Sequence, residues 1–303
     1  MNKNKIINCT ICNEKSFFSH KYSSPNIIFK NKDIFTCEHC EFSWAADIKQ
    51  ADLNEYYKKD YDVEVGRSKK FVSPEEYFSD AKKQFKRHRS EMHLLTVKRY
   101  LKNKKEPLIL DIGSGLGTTL NLSKKYFIDP KIHAYENDEN SKKYLNYINA
   151  QVISGDCISS LKNLNVAFDI IIASHFLEHV SPDSLKDFIN IIYNLLKPGG
   201  ILLIEVPNDN WQKYPDRKYS NPPHVNFFSI ISLKKYFKQF NILRCCSIRE
   251  PLNKKKNFII SLIFRVYAKI LYIINQAINK VDVPCVKNGN GTSLILIAKK
   301  LIL

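Results

Sequence analysis

Two pairs of cysteines stand near the start of the chain, Cys9-x-x-Cys12 and Cys37-x-x-Cys40, with 24 residues between them. Zinc takes four soft ligands in a tetrahedron, and two such knuckles supply all four, leaving no open position for catalysis. The spacer is long enough for the hairpin of a zinc ribbon. Two disulfides would also account for four cysteines, and a redox site would need only one pair. His20 and His39 could stand in as ligands, but a full cysteine set makes them unnecessary. A second constellation begins at Leu110-Asp111-Ile112-Gly113-Ser114-Gly115-Leu116-Gly117. Three glycines at alternate positions let the backbone turn tightly and let a ligand approach closely. Carboxylates recur downstream at Glu136, 25 residues after Asp111, and at Asp156. In a doubly wound sheet, an acid at the tip of the second strand accepts hydrogen bonds from ribose hydroxyls. The pattern points to a nucleotide-like ligand.

Such residues need strand tips to hold them, and the sequence supplies the strands. Short apolar runs at 108–110, 132–136, 152–154 and 168–173 are each bounded by turn or helix signals. The third leads into Gly155-Asp156-Cys157, and the fourth ends at Ser174 and His175. A helix over 182–196, a Lys197-Pro198-Gly199-Gly200 turn and a fifth strand over 201–206 follow. Strands at 242–248 and 294–298 would close the sheet as a hairpin. Alternating strands and helices imply an α/β class with a parallel sheet.

The segments LDIGSGLG, AYENDE, ISGDC, FDIIIASHFLEHV and LKPGGILLIEVPN, in this order and spacing, resemble a class I S-adenosylmethionine (SAM)-dependent methyltransferase. A nicotinamide enzyme would show G-x-G-x-x-G, whereas here the third glycine comes one residue earlier. The resemblance covers roughly the last two thirds of the chain. It implies a Rossmann-like seven-stranded sheet carrying a small N-terminal zinc ribbon. It also implies residue roles. Asp111 and the turn of Gly113, Ser114, Gly115 and Gly117 would face the methionine part of SAM. Glu136 would hold the ribose diol, and Asp156 with the Cys157 backbone would face adenine. Ser174 and His175 would lie near the reacting end.

The chain divides into a ribbon at 1–48, an aromatic linker and basic helix at 49–105, and a SAM-binding domain at 106–303 with an apolar insert at 252–290. The linker residues Leu53-Asn54-Glu55-Tyr56-Tyr57 and Asp60-Tyr61 resemble those that follow zinc ribbons in a group of nucleotide-sugar and surface-polysaccharide methyltransferases. Some members carry a further C-terminal domain; 303 residues are expected to be too few to include it, which weighs against sugar C-methylation. Ser73-Pro74-Glu75-Glu76 reads as a capped helix start. The helix would run over 73–103, with Phe78, Phe85, Met92, Leu95 and Tyr100 inside and Lys82, Lys83, Lys86, Arg87 and Arg89 outside.

The formal charge of +17 invites a nucleic-acid reading. Its distribution argues otherwise: residues 1–68 are neutral and only 69–105, with twelve basic and four acidic residues, form a cluster. An AT-rich coding bias, seen in the abundant Lys, Asn and Ile, explains much of the rest. The segment after the fourth strand, Ser174-His175-Phe176-Leu177, also lacks the Asn/Asp-Pro-Pro-Tyr/Phe block of many RNA methyltransferases. No apolar leader follows the basic start, and eight cysteines in 303 residues suggest reduced thiols, so a cytoplasmic protein is expected.

The acceptor side falls on the long loop after the fifth strand, ending His224-Val225-Asn226-Phe227-Phe228-Ser229. In the resembling family a histidine at this place faces the acceptor. A hydroxyl must lose its proton as it attacks a sulfonium methyl, and an imidazole suits that task. His224 is therefore the candidate general base, its alternative being to fix the loop through its ring nitrogens. Glu178-His179 also invites a metal reading, although a loop ordering the cofactor pocket explains the pair more simply. Within the insert, Lys254-Lys255-Lys256 precedes an apolar helix over 258–280 whose polar residues fall within an arc of roughly 100°. Arg265 and Lys269 sit mid-span, so it would not cross a bilayer. It could lie on a membrane surface through 254–280, or pack on the protein's own core or a partner subunit. The leading expectation is a methyltransferase that O-methylates a sugar or glycan precursor, nucleotide- or lipid-linked. The rivals are a lipid or quinone methyltransferase at the membrane surface, an RNA methyltransferase and an inactive SAM-binding protein.

Overall fold

The computed structural model describes residues 5–61, 72–84, 86–101, 104–209, 223–248, 285–286 and 291–301. The parallel part of its main sheet consists of β5 (Leu108–Ile112), β6 (Lys131–Tyr135), β7 (Gln151–Ile153), β8 (Phe168–Ser174) and β9 (Leu196–Pro207). Two antiparallel strands, β11 (Asn241–Ile248) and β12 (Ser293–Lys299), complete the order β11-β12-β9-β8-β5-β6-β7. The Rossmann-like seven-stranded sheet is thus present. The central strands read as near-continuous apolar runs because helices cover both faces. On one face pack α3 (Arg87–Leu101), α4 (Thr118–Tyr126) and α5 (Glu139–Tyr147), through Leu94, Val97, Leu120 and Leu145. On the other pack α6 (Cys157–Lys162), α7 (Leu185–Leu195) and α8 (Ile230–Tyr236), through Leu161, Phe188, Ile192 and Leu233. Strand order reverses at β5, and the crevice beyond the carboxyl ends of β5 and β8 is where such sheets bind ligands.

The N-terminal residues form a smaller sheet from β1 (Ile6–Asn8), β2 (Lys15–Lys21), β3 (Asp33–Cys37) and β4 (Ser43–Ala45). Its fifth strand is β10 (Asn226–Phe227), which pairs with β4 through Asn226↔Trp44 and Phe227↔Ser43. Phe42 lies against both Trp44 (5.5 Å) and Phe228 (5.1 Å), so the smaller sheet and the main sheet share one core. From β4 the chain enters α1 (Gln50–Lys59). Gln50 accepts from the Ser181 backbone at 2.9 Å, and Asn54 reaches Asp156, so the linker also rests on the main sheet.

Three sequence expectations are corrected. The single helix over 73–103 is two, α2 (Pro74–Ser79) and α3. Ser73 caps α2 as expected, but Asp80 accepts from the Lys82 amide in a local turn and Lys86 takes a left-handed φ of 54°. A side chain that bonds its own backbone two residues on competes with the helix ladder. The buried side of α3 is also rotated: Ser90, His93, Leu94, Thr96 and Val97 face inward, while Met92 and Leu95 are half-buried. Arg89, expected on the outer basic face, is nearly buried because it meets a carboxylate of β9. Next, the Lys197–Gly200 turn lies within β9 as an irregular stretch, pairing resuming at Ile201 opposite Ile170. Last, the expectation of reduced cysteines fails at one place: Cys246 is disulfide-bonded to Cys285. An Ile248↔Cys285 bridge and the Val286 amide on the Ser247 carbonyl bring the two together. Apart from Cys285 and Val286, the expected insert at 252–290 lies outside the described residues. Among the described residues, no helix is long and apolar enough to cross a membrane.

Candidate active site

The glycine turn has the backbone that its residues require. Gly113, Gly115 and Gly117 have φ of 74°, 55° and 77°, a region that side chains with a Cβ rarely adopt. Space is short as well: a Cβ on Gly113 would lie 2.9 Å from Phe176, and one on Gly117 would lie 2.8 Å from Leu145. The Gly113 and Ser114 amides donate to the Tyr135 carbonyl at 2.9 and 3.3 Å, which ties the turn to the tip of β6. Ser114 Oγ is buried with no hydrogen-bond partner among the described residues. Glu136, one residue past β6, accepts from the Gly115 amide at 2.7 Å and from the Asn137 and Asp138 amides at 3.0 Å each. Glu136, expected to hold a ribose diol, thus also ties down the glycine turn through the Gly115 amide.

Asp111 sits under this turn at the end of β5, 4% exposed. Burial, then repulsion from Glu136, raises its carboxyl to about 8. A buried, charge-starved acid of this kind would regain its charge beside a ligand cation such as the α-ammonium of SAM. Asp156 caps α6, accepting from the Ser159 amide at 2.9 Å and from Asn54 Nδ2 at 3.0 Å. Burial opposes its ionisation, but these donors hold its carboxyl below the usual value. Cys157 is buried in the first turn of α6. Asn137 and Tyr135 both donate to the Gly155 carbonyl, at 3.0 and 2.7 Å, so the tips of β6 and β7 are joined. Asp111, the glycines, Glu136 and Asp156 lie at the carboxyl ends of the parallel strands.

Beyond β8 lies a cluster of acids and imidazoles that the sequence reading resolved only in part. Ser174 Oγ donates to Glu205 Oε2 at 3.1 Å. His175 has a left-handed φ of 54° and lies between two fully buried carboxylates, Glu178 and Glu205. His93 Nε2 is 2.7 Å from Glu205 Oε2, and Arg89 Nε is 3.4 Å from Glu205 Oε1. On the other side, His179 Nε2 is 3.8 Å from Glu178 Oε1, and the His179 and His224 rings lie 4.9 Å apart. Burial would raise both glutamates. Facing His175, Glu178 is instead held at about 2, and Glu205 falls well below the usual range between His175, His93 and Arg89. His224 goes the other way: burial and then neighbouring His179 lower it to about 4, against the pull of Glu178. It is a neutral imidazole at neutral pH.

His224 is anchored from the ribbon side. Tyr22 Oη donates to its carbonyl at 2.9 Å, and the Ala45 amide donates to the neighbouring Val225 carbonyl at 2.9 Å. Tyr57 lies edge-on to His179 with centroids 5.9 Å apart, and Tyr61 packs on Tyr57 at 4.9 Å. In the N-terminal sheet, Cys9, Cys12, Cys37 and Cys40 form one cluster. Cys9 Sγ is 3.6 Å from Cys40 Sγ, Cys12 Sγ is 3.5 Å from Cys37 Sγ, and all four sulfurs lie within 4.8 Å of one another. Zinc–sulfur bonds of about 2.3 Å give tetrahedral sulfur–sulfur edges of roughly 3.8 Å, so the set fits zinc. The four are free thiols, which removes the two-disulfide alternative. Each pair is followed by a left-handed residue, Asn13 (φ 63°) or Glu41 (φ 59°), whose amide returns to the first cysteine's carbonyl. Glu178, His179 and His224 are a second group whose ligand atoms lie within 4.8 Å of one another.

Glu205, Arg89 and His93 were not foreseen as site residues. A usable signal existed: Glu205 is the one charge in the run Ile201–Val206, a strand that must be buried on both faces. Arg89 and His93, four residues apart on one helix, are its natural partners.

The profile of a methyltransferase domain matches residues 85–242, just over half of the chain, and the chain belongs to that family. It is a class I SAM-dependent methyltransferase, with SAM as its methyl donor. No curated protein matches the sequence. Solved structures similar to it include a SAM-dependent methyltransferase from Archaeoglobus fulgidus, with 22% identity and a TM-score of 0.47 over 71% of this chain and 92% of that one. Another, from Clostridium acetobutylicum, has 13% identity and a TM-score of 0.48, over 71% and 92%.

Proposed function

We propose that this enzyme methylates a hydroxyl of a sugar or glycan precursor, nucleotide- or lipid-linked, with His224 as general base and a structural zinc in the four-cysteine cluster. The observation that carries the reading is His224 itself. It is a half-buried imidazole whose value, lowered to about 4 by desolvation and by His179, keeps it unprotonated at neutral pH, and Tyr22 of the N-terminal sheet holds its carbonyl. SAM supplies a methyl group on a sulfonium, so the leaving thioether is neutral and needs little stabilisation. The acceptor is the harder half. Its hydroxyl proton passes to a ring nitrogen of His224 as the oxygen lone pair forms the new bond to carbon. The Glu178 carboxylate then lies close enough to favour the imidazolium that results. Positioning of the reactants contributes most of the remaining acceleration. The aromatic cluster of Tyr57, Tyr61 and His179 beside His224 is compatible with a sugar acceptor, and the resemblance of the N-terminal cysteine module and linker supports the glycan reading.

The test is a mass-resolved assay with SAM and a panel of nucleotide sugars, lipid-linked sugars, quinones and RNA. Addition of one methyl to a sugar supports the reading, and labelling of quinone or RNA alone overturns it. On the active acceptor, His224→Gln should lower turnover by about 10²–10⁴-fold, the usual size of general-base catalysis. Full turnover at saturating acceptor would exclude the base role.

A further inference from the structure

Two side-chain amides of α1 form a one-way chain from the acceptor side of the sheet to the cofactor side. The Ser181 amide donates to Gln50 Oε1 at 2.9 Å, Gln50 Nε2 donates to Asn54 Oδ1 at 3.2 Å, and Asn54 Nδ2 donates to Asp156 Oδ2 at 3.0 Å. Gln50 and Asn54 stand four apart on one face of the helix, and both are half-buried. The direction is forced from both ends, because a backbone N–H can only donate and an ionised carboxylate can only accept. Each amide between them has one oxygen and one NH2 group, so the chain closes only with both NH2 groups turned toward Asp156. The Ser181 end is fixed in turn: Ser181 is buried, and Asn226 Nδ2 donates to the Val180 and Leu177 carbonyls at 2.6 and 3.1 Å. At the other end, Ser159 holds Asp156 Oδ1 through its amide at 2.9 Å and its hydroxyl at 3.0 Å. The last torsion of a carboxylate is broad, so a donor on the second oxygen is what fixes its plane. Asn54 supplies that donor.

The sheet order puts the base of the cofactor at Asp156. Along β5-β6-β7 the glycine turn follows β5, Glu136 follows β6, and Asp156 lies past the end of β7 as the cap of α6. With the ribose on Glu136, the base extends away from the glycine turn toward the β7 tip. A 6-aminopurine turns an NH2 donor to a carboxylate there, whereas a 6-oxopurine turns an oxygen to it. We propose that Asn54, itself held by Gln50, is a positioning residue for the cofactor base: it keeps a lone pair of Asp156 Oδ2 aimed at the exocyclic amino group of adenine and so sets the preference for a 6-amino over a 6-oxo purine. A carboxylate oxygen accepts more than one hydrogen bond, so Asn54 takes one position on Oδ2 and leaves another for the base. The inference rests on the reading of Asp156 as the adenine contact, and it assigns what α1 adds to that contact. The charge of Asp156 agrees, since Ser159 and Asn54 hold its carboxyl below the usual value against burial.

The experiment needs no acceptor. Calorimetric titrations of the full-length protein compare S-adenosylhomocysteine with S-inosylhomocysteine, which differ at the 6-position of the purine. The parent should prefer the adenine compound by at least about tenfold, the size of a charge-assisted hydrogen bond. Asn54→Ala should cut that preference by about three- to tenfold, weakening the adenine compound while the inosine compound stays within about twofold. Asn54→Asp, equal in size but without an NH2 group to donate, should cut it at least as far, and it supplies the reading where Asn54→Ala fails to fold. Asp156→Asn should bring the preference below about threefold. A helix that only docks on the sheet would weaken both ligands by one factor, so the ratio separates positioning from docking. Three results would overturn the proposal. One is a preference unchanged within about twofold in the Asn54 variants while Asp156→Asn loses it, which leaves the adenine contact standing without Asn54. Another is tighter binding of S-adenosylhomocysteine by Asn54→Ala, which would make the amide a competitor of the base. The third is no preference in the parent, or an undiminished one in Asp156→Asn, which removes the base from Asp156 and the underlying reading with it.

Discussion

Arg89→Met is the sharpest structural perturbation of the network behind the site. The guanidinium lies 3.4 Å from Glu205, with side chains 10% and 0% exposed, so this is a buried pair. Removing one member of such a pair costs about 3–5 kcal/mol where the survivor is left bare. Here Glu205 keeps His93 at 2.7 Å and Ser174 at 3.1 Å. The expected cost is therefore below that range, about 2–3 kcal/mol, or roughly 30- to 150-fold in the unfolding equilibrium. Urea unfolding near neutral pH, with the slope compared between variants, measures it. Glu205→Leu and the double variant complete a cycle: the double should be less destabilised than the sum of the singles by about 2 kcal/mol, because Arg89 is no longer facing a lost charge. The pH sign follows from Glu205, whose folded value lies well below the usual carboxylate range. Its stabilisation is present in full above the unfolded value near ~4.3 and is lost as pH falls through the folded value, so the Arg89 effect should persist at neutral pH and fade only in strong acid. A cost under about 0.5 kcal/mol, in the range of an exposed pair, or additive singles would refute the buried-pair reasoning.

Further outcomes follow from other parts of the site. With free Asp111 raised to about 8, SAM binding should release up to one proton below that pH, and affinity should rise as pH rises, flattening above about 8; calorimetry in buffers of different ionisation enthalpy measures the proton, and its absence at neutral pH contradicts the assignment. Gly117→Ala must fit a Cβ 2.8 Å from Leu145 at a φ of 77°, and urea unfolding should show a loss of about 1–3 kcal/mol. The four-cysteine cluster should take one equivalent of Co²⁺ with intense thiolate charge-transfer bands, and Cys40→Ser should abolish them; a colourless or oxygen-ligated ion would exclude the structural zinc. Because β10 and Tyr22 tie His224 to the ribbon, Tyr22→Phe should cost about 1 kcal/mol in stability, again by urea unfolding.

Much of the cofactor end was legible because its chemistry is local. Positive φ at Gly113, Gly115 and Gly117 needs glycine, and Asp111 and Glu136 sit at strand ends that short apolar runs mark. The helix cap at Ser73 was readable for the same reason, its side chain accepting from the amide three residues on. What stayed hidden depends on pairs far apart in sequence. Glu205 meets His93 across 112 residues, and Tyr22 meets the His224 carbonyl across 202. Nor does a helical pattern say which way a basic residue turns, so Arg89 read as solvated until β9 supplied its partner. The same holds for Cys246 and Cys285, whose pairing depends on how the chain returns after β11. The join between ribbon and acceptor loop through β10 rests on a two-residue strand, too short to leave a periodic signal.

The central claim is that Asp111 and the glycine turn form a SAM pocket. Calorimetric titration of SAM into the parent protein and Asp111→Ala tests it most directly. The account predicts saturable one-to-one binding by the parent and at least about tenfold weaker binding by the variant, since a buried charge-assisted contact contributes roughly 1.5–3 kcal/mol. Equally tight binding by both proteins would contradict it.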